Sequence, residues 1–398
     1  MKSPALKLRI FLVGSEFFHS WGGIQFVNRL LLSAFREMAR HTPIEVECFS
    51  YGDAASEFVP EARFDALRGW HAAKRRRAFL AASLAARLVA SRPHVVLFTH
   101  VNLLRLARIV RSLAPGARVG VLGHGVEVWE RLPSALLRPL QRADGVAAPS
   151  RYTRDRLVRV NGVDPGKTAV LAHGIDLEWR KVHDANRPHP SPARVLLSVT
   201  RMNVADAYKG IDTVIRAMPE VLRRCPGARY VIAGEGDDRP RLERLAAETG
   251  VAGPVEFRGE LQDGELSAAY RDAQIFVLPS RKEGFGIVFL EAMYHRLPVV
   301  AAAAGGSVDV VVNEETGLLV PPDNPSALSA ALVRLLEAPV DCERLGAAGR
   351  RRLETHFQLE HFTARWEEWL ARLAPEAFYL ARHSRVFAAQ NLATEAAN

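Results

Sequence analysis

The sequence has few cysteines and lacks any long hydrophobic run. Its three cysteines are scattered without the spacing of a disulfide framework or a metal site, which favours a reducing, cytoplasmic environment. No apolar run approaches the ~18 residues that a membrane-spanning helix requires. The apolar stretch at residues 8–14 is too short for the core of a signal peptide, and no small-residue cleavage site follows it. We therefore expect a buried strand there.

The chain also lacks solenoid-scale repeats and low-complexity tracts, which argues against a repeat protein. Its 398 residues suggest two or three domains. With 48% hydrophobic and 24% charged residues, the composition is that of an ordinary globular protein.

The net charge of +9 is unevenly distributed along the chain. Residues 1–180 contain 27 Lys and Arg against 15 Asp and Glu, whereas residues 181–398 contain 26 against 29. The basic excess therefore belongs to the first half. Its sharpest cluster consists of Lys74, Arg75, Arg76 and Arg77.

Apolar residues at helical spacing follow this cluster, namely Phe79, Leu80, Leu84 and Leu88. A basic amphipathic segment of this kind docks on anionic membrane surfaces. A solvated helix face is a second interpretation. Nucleic-acid binding is a third, but the chain has no recognition motif for it. We keep the membrane surface as an expected partner and expect no nucleic acid.

Short β-rich runs alternate with helical stretches through the whole chain. In the first half the predicted strands lie at residues 8–14, 94–100, 118–125, 145–150 and 168–176. Continuous apolar runs bounded by turns, with helices between them, indicate a parallel sheet covered on both faces.

The composition changes at residues 186–193, where three prolines indicate a linker between domains. A second alternating series follows, with predicted strands at residues 194–200, 230–236, 255–261, 275–280, 297–303 and 316–322. We therefore predict an α/β protein with two Rossmann-like domains, at residues 1–185 and 194–356, and terminal helices at 357–398. A ligand is expected beyond the carboxyl ends of the strands.

Residues 280–300 read SRKEGFGIVFLEAMYHRLPVV and place two glutamates, Glu283 and Glu291, around a glycine-rich turn. On one continuous helix, eight residues rise about 12 Å. The paired carboxylates of a retaining hydrolase need a separation of roughly 5–5.5 Å. A hydrolase dyad is therefore excluded.

The two glycines of this segment favour a loop that carries Glu283, followed by a helix that begins near Gly286. The amides of Phe285, Gly286 and Ile287 then form an anion site at the amino end of the helix. Glu291 follows in the second turn. The segment thus offers a hydroxyl acceptor, a phosphate-binding site and a second hydroxyl acceptor. This order matches the sugar, the diphosphate and the ribose of a nucleoside diphosphate sugar.

The segment FVLPSRKEGFGIVFLEAMYHRLPVVA, with the later ETGLLVPPDNPSAL, resembles the Glu-x7-Glu region of the retaining GT-B glycosyltransferases of family four. The resemblance covers essentially the whole chain and is strongest over residues 194–335. It implies a GT-B fold, with two Rossmann-like domains facing a central cleft and the last helices returning to the first domain. It also implies that Glu283 binds hydroxyls of the donor sugar and that Glu291 binds the ribose.

The resemblance assigns roles to further residues. Arg201 and Lys209 match two cations that stabilise the departing diphosphate, although the loop between them is longer than the commonest family version. Gly22 and Gly23 match a glycine-rich loop whose backbone approaches a phosphate or a sugar. His124 matches a histidine that contacts the donor sugar. The structural alternatives are surface cations, a tight turn and a structural histidine.

Glu127, three residues after His124, is a candidate for orienting the acceptor or the histidine. The chain contains no Asp-x-Asp motif, which fits a reaction that needs no metal and no other cofactor. Asp263 and Glu265 are better explained as helix-capping residues than as a metal pair.

These observations predict a retaining hexosyltransferase that takes mannose or glucose from a UDP- or GDP-sugar. The expected acceptor is a lipid-linked glycan in bacterial polysaccharide or lipopolysaccharide assembly. The expected location is the cytoplasm, peripherally on the inner face of the cell membrane. A soluble small-molecule acceptor, a sugar-nucleotide epimerase of similar double-Rossmann build and a non-catalytic binding module are the alternatives.

Overall fold

The computed structural model describes residues 6–19, 22–57, 66–176 and 194–384. The chain divides into two compact units. Unit 1 comprises Met1–His173 and Leu359–Asn398, and unit 2 comprises Gly174–Gln358. The linker predicted at residues 186–193 lies outside the described residues and stays a prediction.

Unit 1 is built on a seven-stranded parallel sheet. Its strands are β1 (Leu8–Gly14), β2 (Ile44–Ser50), β3 (Leu67–Ala72), β4 (Val95–Phe98), β5 (Arg118–Leu122), β6 (Gly145–Ala148) and β7 (Thr168–Val170). Their order in the sheet is β3-β2-β1-β4-β5-β6-β7, and each neighbouring pair is parallel. The order reverses between β1 and β4, which is the topological switch point of a Rossmann-like sheet.

The helices of the continuous part of unit 1 are α1 (Gly23–Ala39), α2 (Arg77–Ser91), α3 (Ala107–Leu113), α4 (Ser134–Gln141) and α5 (Arg151–Asn161). Helices α2 to α5 contribute apolar side chains to one core that covers the sheet. In α2, the core residues are Leu80, Leu84 and Leu88, whereas Phe79 is 50% exposed. The apolar stripe of this segment is therefore committed to the core of the protein.

The sequence pattern does not predict β2 and β3, because both contain polar residues. Glu47 of β2 accepts hydrogen bonds from Arg87 at 2.8 and 2.6 Å and lies 3.2 Å from Nε2 of His71 in β3. Burial opposes ionisation of Glu47, but the hydrogen bonds from Arg87 and His71 outweigh it and lower the pKa of this carboxyl group. A charged residue inside a buried strand is thus paired across elements that lie far apart in sequence.

Unit 2 contains a six-stranded parallel sheet. Its strands are β8 (Val195–Val199), β9 (Arg229–Ala233), β10 (Val255–Gly259), β11 (Ile275–Leu278), β12 (Val299–Ala302) and β13 (Gly317–Val320). Their order is β10-β9-β8-β11-β12-β13, again with parallel neighbours and a reversal, here between β8 and β11. The predicted alternation of strands and helices is confirmed in this unit.

The helices of unit 2 are α6 (Ile211–Arg224), α7 (Arg239–Glu248), α8 (Asp263–Asp272), α9 (Ile287–Tyr294), α10 (Ser307–Val310), α11 (Pro325–Glu337) and α12 (Pro339–His356). At α8, Gln262 and Glu265 form a capping box. The prediction that Glu265 serves as a capping residue is therefore confirmed.

After unit 2 the chain re-enters unit 1 through α13 (Leu359–Leu373), which packs on α1. Trp369 of α13 is almost fully buried. A Cβ atom at Gly120 of β5 or at Gly145 of β6 would lie only 2.7 or 2.9 Å from the ring of Trp369. These strand glycines therefore make room for the tryptophan. Helical residues continue over 375–384, and residues 385–398 are not among those described.

Candidate active site

The glycine-rich segment of unit 2 forms a loop and then a helix, as the sequence predicts. β11 ends at Leu278 and α9 begins at Ile287, so that Glu291 lies in the second turn. Gly286 has a φ of 97°, and a Cβ atom there would lie 2.2 Å from the ring of Phe289. No side chain from the described residues caps the amino end of α9. This local geometry is the one that an anion site requires.

The glycine loop that follows β12 also contacts this segment. The amide of Gly306 donates a hydrogen bond to the carbonyl oxygen of Glu283 at 2.6 Å. A Cβ atom at Gly306 would lie 2.2 Å from the carbonyl oxygen of Gly284, so only glycine allows this close approach. Phe285 is buried, with its ring centroid 5.8 Å from that of Phe357. The loop is therefore fixed by packing as well as by its own turns.

The structure brings Lys209 and Glu283 together. Nζ of Lys209 lies 2.8 Å from Oε2 of Glu283, and the two side chains are only 19% and 12% exposed. Lys209 ends a 3₁₀ helix, Val204–Lys209, immediately before Gly210 and α6. A cation and a carboxylate, predicted separately for phosphate and for sugar hydroxyls, thus form one ion pair.

Arg201 follows β8 at the start of the same loop and is largely exposed, with a relative side-chain accessibility of 68%. Its Nη2 lies 3.5 Å from Oδ1 of Asp206, a buried residue that the sequence analysis does not single out. Asp206 also accepts hydrogen bonds from Nδ2 of Asn203 and from the hydroxyl of Tyr208, each at 3.0 Å. Burial and the neighbouring Asp206 raise the pKa of Tyr208, which therefore stays a hydrogen-bond donor.

Arg201 and Lys209 also share a surface. Both line one small pocket of unit 2 together with Asp206, Asp212, Asp238 and Arg241. The loop between the two cations therefore does not separate them. It adds the Asp206 carboxylate as a fixed acceptor beside Arg201.

Glu291 is buried and held by a tyrosine. Its Oε2 accepts a hydrogen bond of 2.9 Å from the hydroxyl of Tyr270, a fully buried residue of α8. The sequence analysis misses Tyr270, because it stands 21 residues before Glu291 in a helix with no motif of its own. The only available signal is the position of a tyrosine just before the strand that leads into the glycine-rich loop.

In unit 1, His124 lies between β5 and the 3₁₀ turn Val126–Val128. Its Nε2 is 2.6 Å from the carbonyl oxygen of Thr99, which follows β4. A carbonyl oxygen only accepts, so Nε2 carries the proton. Burial lowers the pKa of His124 to about 4, although the Thr99 hydrogen bond opposes the shift. The ring is therefore neutral at pH 7, and Nδ1 is a hydrogen-bond acceptor.

Two further histidines accompany His124. The ring centroids of His100 and His173 lie 6.0 and 6.3 Å from that of His124. Burial lowers the pKa of both, which keeps this group of imidazoles uncharged at neutral pH. His173 is 3% exposed, as is typical of a structural residue.

Glu127 is placed beside His124 as a structural partner. Its carboxylate oxygen Oε1 accepts a hydrogen bond from the backbone amide of His124. This contact fits the predicted role of orienting the histidine, and a contact of Glu127 with an acceptor stays a prediction.

Gly22 precedes α1 in an extended conformation, and α1 begins at Gly23. A Cβ atom on Gly22 would meet only the end of the Gln25 side chain, which can move aside. Among the described residues, neither packing nor backbone conformation therefore requires glycine at position 22. The close approach of a ligand to this glycine stays a prediction.

The basic cluster forms the turn between β3 and α2 and the first residue of α2, Arg77, and its four side chains are exposed. Lys74 and Arg75 have φ angles of 44° and 61°, which are unusual for residues other than glycine. Their amides donate to the carbonyl oxygens of Asp53 and Tyr51, which hold the turn in place. Nη2 of Arg75 lies 3.4 Å from Oε1 of Glu16.

The described ranges contain neither a group of metal ligands nor a membrane-spanning helix. No three His, Cys, Asp or Glu side chains among those residues are grouped as metal ligands require. No helix of the described segments is long and apolar enough to span a membrane. The expectation that the reaction needs no metal stays a prediction.

Two Rossmann-like units of this kind define the GT-B class of glycosyltransferases, and solved structures show the same architecture. Sucrose-phosphate synthase from Thermosynechococcus elongatus superposes with a TM-score of 0.75 over 92% of this chain and 98% of that chain, at 22% identity. HepE of Anabaena in complex with UDP gives a TM-score of 0.73 over 92% of this chain and 100% of that chain, at 18% identity. At these identities the likeness shows the fold.

The sequence comparisons identify the family. Residues 180–352 match the glycosyl transferases group 1 model, and residues 21–179 match the Glycosyltransferase Family 4 model. The GDP-mannose-dependent alpha-(1-6)-phosphatidylinositol monomannoside mannosyltransferase of Mycobacterium tuberculosis is 33% identical over 285 residues, covering 66% of this chain and 70% of that protein. Glycogen synthase of the same organism is 33% identical over 234 residues, covering 59% and 53%. The chain belongs to the group 1 glycosyl transferases, family 4.

Proposed function

We propose that the protein is a retaining hexosyltransferase that moves a hexose from a UDP- or GDP-sugar to an acceptor hydroxyl. The observation that carries this proposal is the Lys209–Glu283 ion pair of 2.8 Å in unit 2. Glu283 lies in the loop that leads to the amino end of α9, where no side chain of the described residues forms a cap. A cation for phosphate, a carboxylate for sugar hydroxyls and a helix amino end for an anion thus belong to one unit.

Each group has a definite part in the proposed reaction. Departure of the nucleoside diphosphate builds negative charge on its phosphates, and Arg201 and Lys209 stabilise that charge without a metal. Glu283 accepts hydrogen bonds from the sugar hydroxyls, and Glu291 accepts them from the ribose. Nδ1 of the neutral His124 accepts a hydrogen bond from a donor-sugar hydroxyl. The family implies front-side displacement, with no nucleophile from the protein.

Calorimetric titration with UDP, GDP and ADP in the presence of a chelator tests the donor class. We expect one diphosphate to bind tightly, and Glu291→Ala to weaken it. Glu248→Ala is the matched control, because Glu248 is an exposed glutamate on α7 of the same unit. Failure of all three diphosphates to bind would refute a nucleotide-sugar reaction at this site.

The proposed acceptor is a lipid-linked glycan, as in bacterial polysaccharide or lipopolysaccharide assembly. The relative named for a phosphatidylinositol monomannoside acceptor supports a lipid-borne substrate. Incubation of the matching donor sugar with extracted lipids should yield a glycolipid with the anomeric configuration of the donor, observable by NMR. Transfer only to free sugars would establish a soluble acceptor, and conversion of the donor to an isomer without an acceptor would establish an epimerase.

We also propose that unit 1 uses a basic face to dock on the anionic inner surface of the cell membrane. Residues 72–143 contain 13 Lys and Arg and only two Asp and Glu. They supply α2, α3 and α4, whose apolar residues share one core. The buried stripe of α2 excludes insertion of that helix as an amphipathic segment. Docking would instead be electrostatic, with exposed Phe79 and Leu113 as shallow apolar contacts.

Binding to vesicles of anionic and of zwitterionic lipid tests the docking proposal. Replacement of the four residues from Lys74 to Arg77 by glutamine should weaken binding to anionic vesicles by on the order of 1 kcal/mol per charge. Arg223 and Arg224, exposed on α6 of unit 2, provide a matched control pair. Unchanged partitioning of the four-residue variant would refute docking through this turn without affecting the enzymatic proposal.

A further inference from the structure

Tyr270 is a fully buried tyrosine whose hydroxyl group contacts a residue of the predicted donor site. The hydroxyl donates to Oε2 of Glu291 at 2.9 Å, and Glu291 is itself only 9% exposed. A hydrogen bond from a neutral donor to a buried carboxylate is among the stronger kinds in proteins. It restrains the rotation of the carboxylate group of Glu291.

The ring of Tyr270 is itself held in place by two stacked neighbours. Its centroid lies 5.1 Å from that of His295, with the planes inclined by only 5°. It lies 5.8 Å from the centroid of Phe276 in β11, with an inclination of 22°. The backbone amide of His295 also donates to the carbonyl oxygen of Glu291. This bond holds His295 at the end of α9. The tyrosine hydroxyl therefore has a fixed position relative to Glu291.

We propose that Tyr270 is a positioning residue for donor binding, which acts by holding the Glu291 carboxylate in the orientation that accepts the ribose hydroxyls of a nucleoside diphosphate. The inference rests on the proposed function, because it assumes that Glu291 contacts the ribose. Ligand-binding groups held by neighbouring side chains bind more tightly, because less ordering is needed when the ligand arrives. Tyr270 thus contributes to affinity without touching the ligand.

Unit 2 supplies a matched control for this tyrosine. Tyr230 of β9 is also fully buried, and its hydroxyl lies 2.8 Å from Oγ of Ser198. Tyr270→Phe and Tyr230→Phe therefore each remove a buried hydroxyl that makes a hydrogen bond in the same unit. Only the first change affects a group that is predicted to contact the donor. A difference between the two variants separates positioning from general stability.

The test measures the affinity of each protein for the diphosphate that the wild type prefers, and for its 2′-deoxy and 3′-deoxy analogues. Tyr270→Phe should weaken binding of the ribonucleotide about tenfold, as loss of a supporting contact typically does. The difference in affinity between the ribonucleotide and the analogue that lacks the contacted hydroxyl should be smaller for Tyr270→Phe than for the wild type. In the Glu291→Gln background, Tyr270→Phe should add little. Tyr230→Phe should match the wild type throughout.

Several outcomes overturn the proposal. Equal affinities of Tyr270→Phe and the wild type would show that the bond does not position Glu291. An equal loss for ribonucleotide and deoxynucleotides would show a general structural effect. If Tyr270→Phe does not fold, His295→Asn tests the same support, because it removes the ring that stacks on Tyr270. The proposal would then be refuted if His295→Asn discriminated between the ribonucleotide and its deoxy analogues as the wild type does. Failure of the wild type to bind any nucleoside diphosphate is a different result, since it refutes the proposed function itself.

Discussion

Acidification should destabilise unit 1 through His124. In the folded protein burial lowers the pKa of this imidazole from 6.5 to about 4. The unfolded chain therefore binds a proton at His124 at a higher pH than the folded protein does. The associated stability is fully present above pH 6.5 and is lost as the pH falls toward about 4. At about 1.4 kcal/mol per pKa unit, the loss amounts to at most about 3 kcal/mol, because the ring keeps some contact with solvent.

His124→Gln is the variant that isolates this effect. A glutamine amide can still donate to the carbonyl oxygen of Thr99, but it does not titrate. Urea unfolding followed by tryptophan fluorescence at several pH values between 7 and 4.5 measures the difference. Four tryptophans of the described residues, namely Trp70, Trp129, Trp366 and Trp369, all belong to unit 1. The signal therefore reports mainly on the unit that contains His124.

The wild type should lose stability more steeply than His124→Gln between pH 6.5 and 4.5, with the two curves diverging as the pH falls. His100 and His173 also have lowered pKa values, so His124→Gln should keep part of the acid sensitivity. Parallel curves over the whole range would refute the reasoning, since they would mean that His124 titrates alike in both states. Steeper loss in the variant would refute it as well.

Three further changes have defined outcomes. Lys209→Met should lower turnover by about 10²–10³-fold, because one cation that stabilises the leaving diphosphate is lost, and steady-state kinetics measures this. Gly306→Ala should weaken diphosphate binding in calorimetry, because its Cβ atom would displace the carbonyl group of Gly284. Gly264→Ala is the control and should not weaken it, because its Cβ atom would meet no atom within 4 Å. Trp369→Ala should cost unit 1 about 3–5 kcal/mol in urea unfolding. Unchanged values for any of these variants would contradict the stated contact or role.

The predictable part of the fold is the part that short-range pattern determines. Buried strands such as β1, β4 and β11 read as continuous apolar runs between turns, and the loop and helix around Gly286 follow from glycine placement. β2 escapes prediction because its buried Glu47 is paired with a distant residue, Arg87. β3 has no buried residue, so no apolar run marks it. Sequence spacing carries no information about such pairs.

The candidate site shows the same division. Motif residues such as Glu283 and Glu291 can be identified along the chain, but the contacts that they make cannot. Tyr270 reaches Glu291 only because α8 and α9 flank the same strand, β11. The amphipathic pattern of α2 is a further example, since periodic leucines look alike whether they face a membrane or the core of the protein. In this chain they face the core.

The return of α13 to unit 1 has a consequence for synthesis on the ribosome. Unit 2 is one continuous segment, Gly174–Gln358, and emerges complete while unit 1 still lacks its last helix. Until Trp369 arrives, the surface beside Gly120 and Gly145 stays uncovered. The domain that is made first is thus finished last, and for the time needed to add nearly 200 residues its exposed sheet is open to aggregation or to a chaperone. A premature stop at residue 359 would therefore leave unit 2 complete and remove only the last segment of the amino-terminal unit.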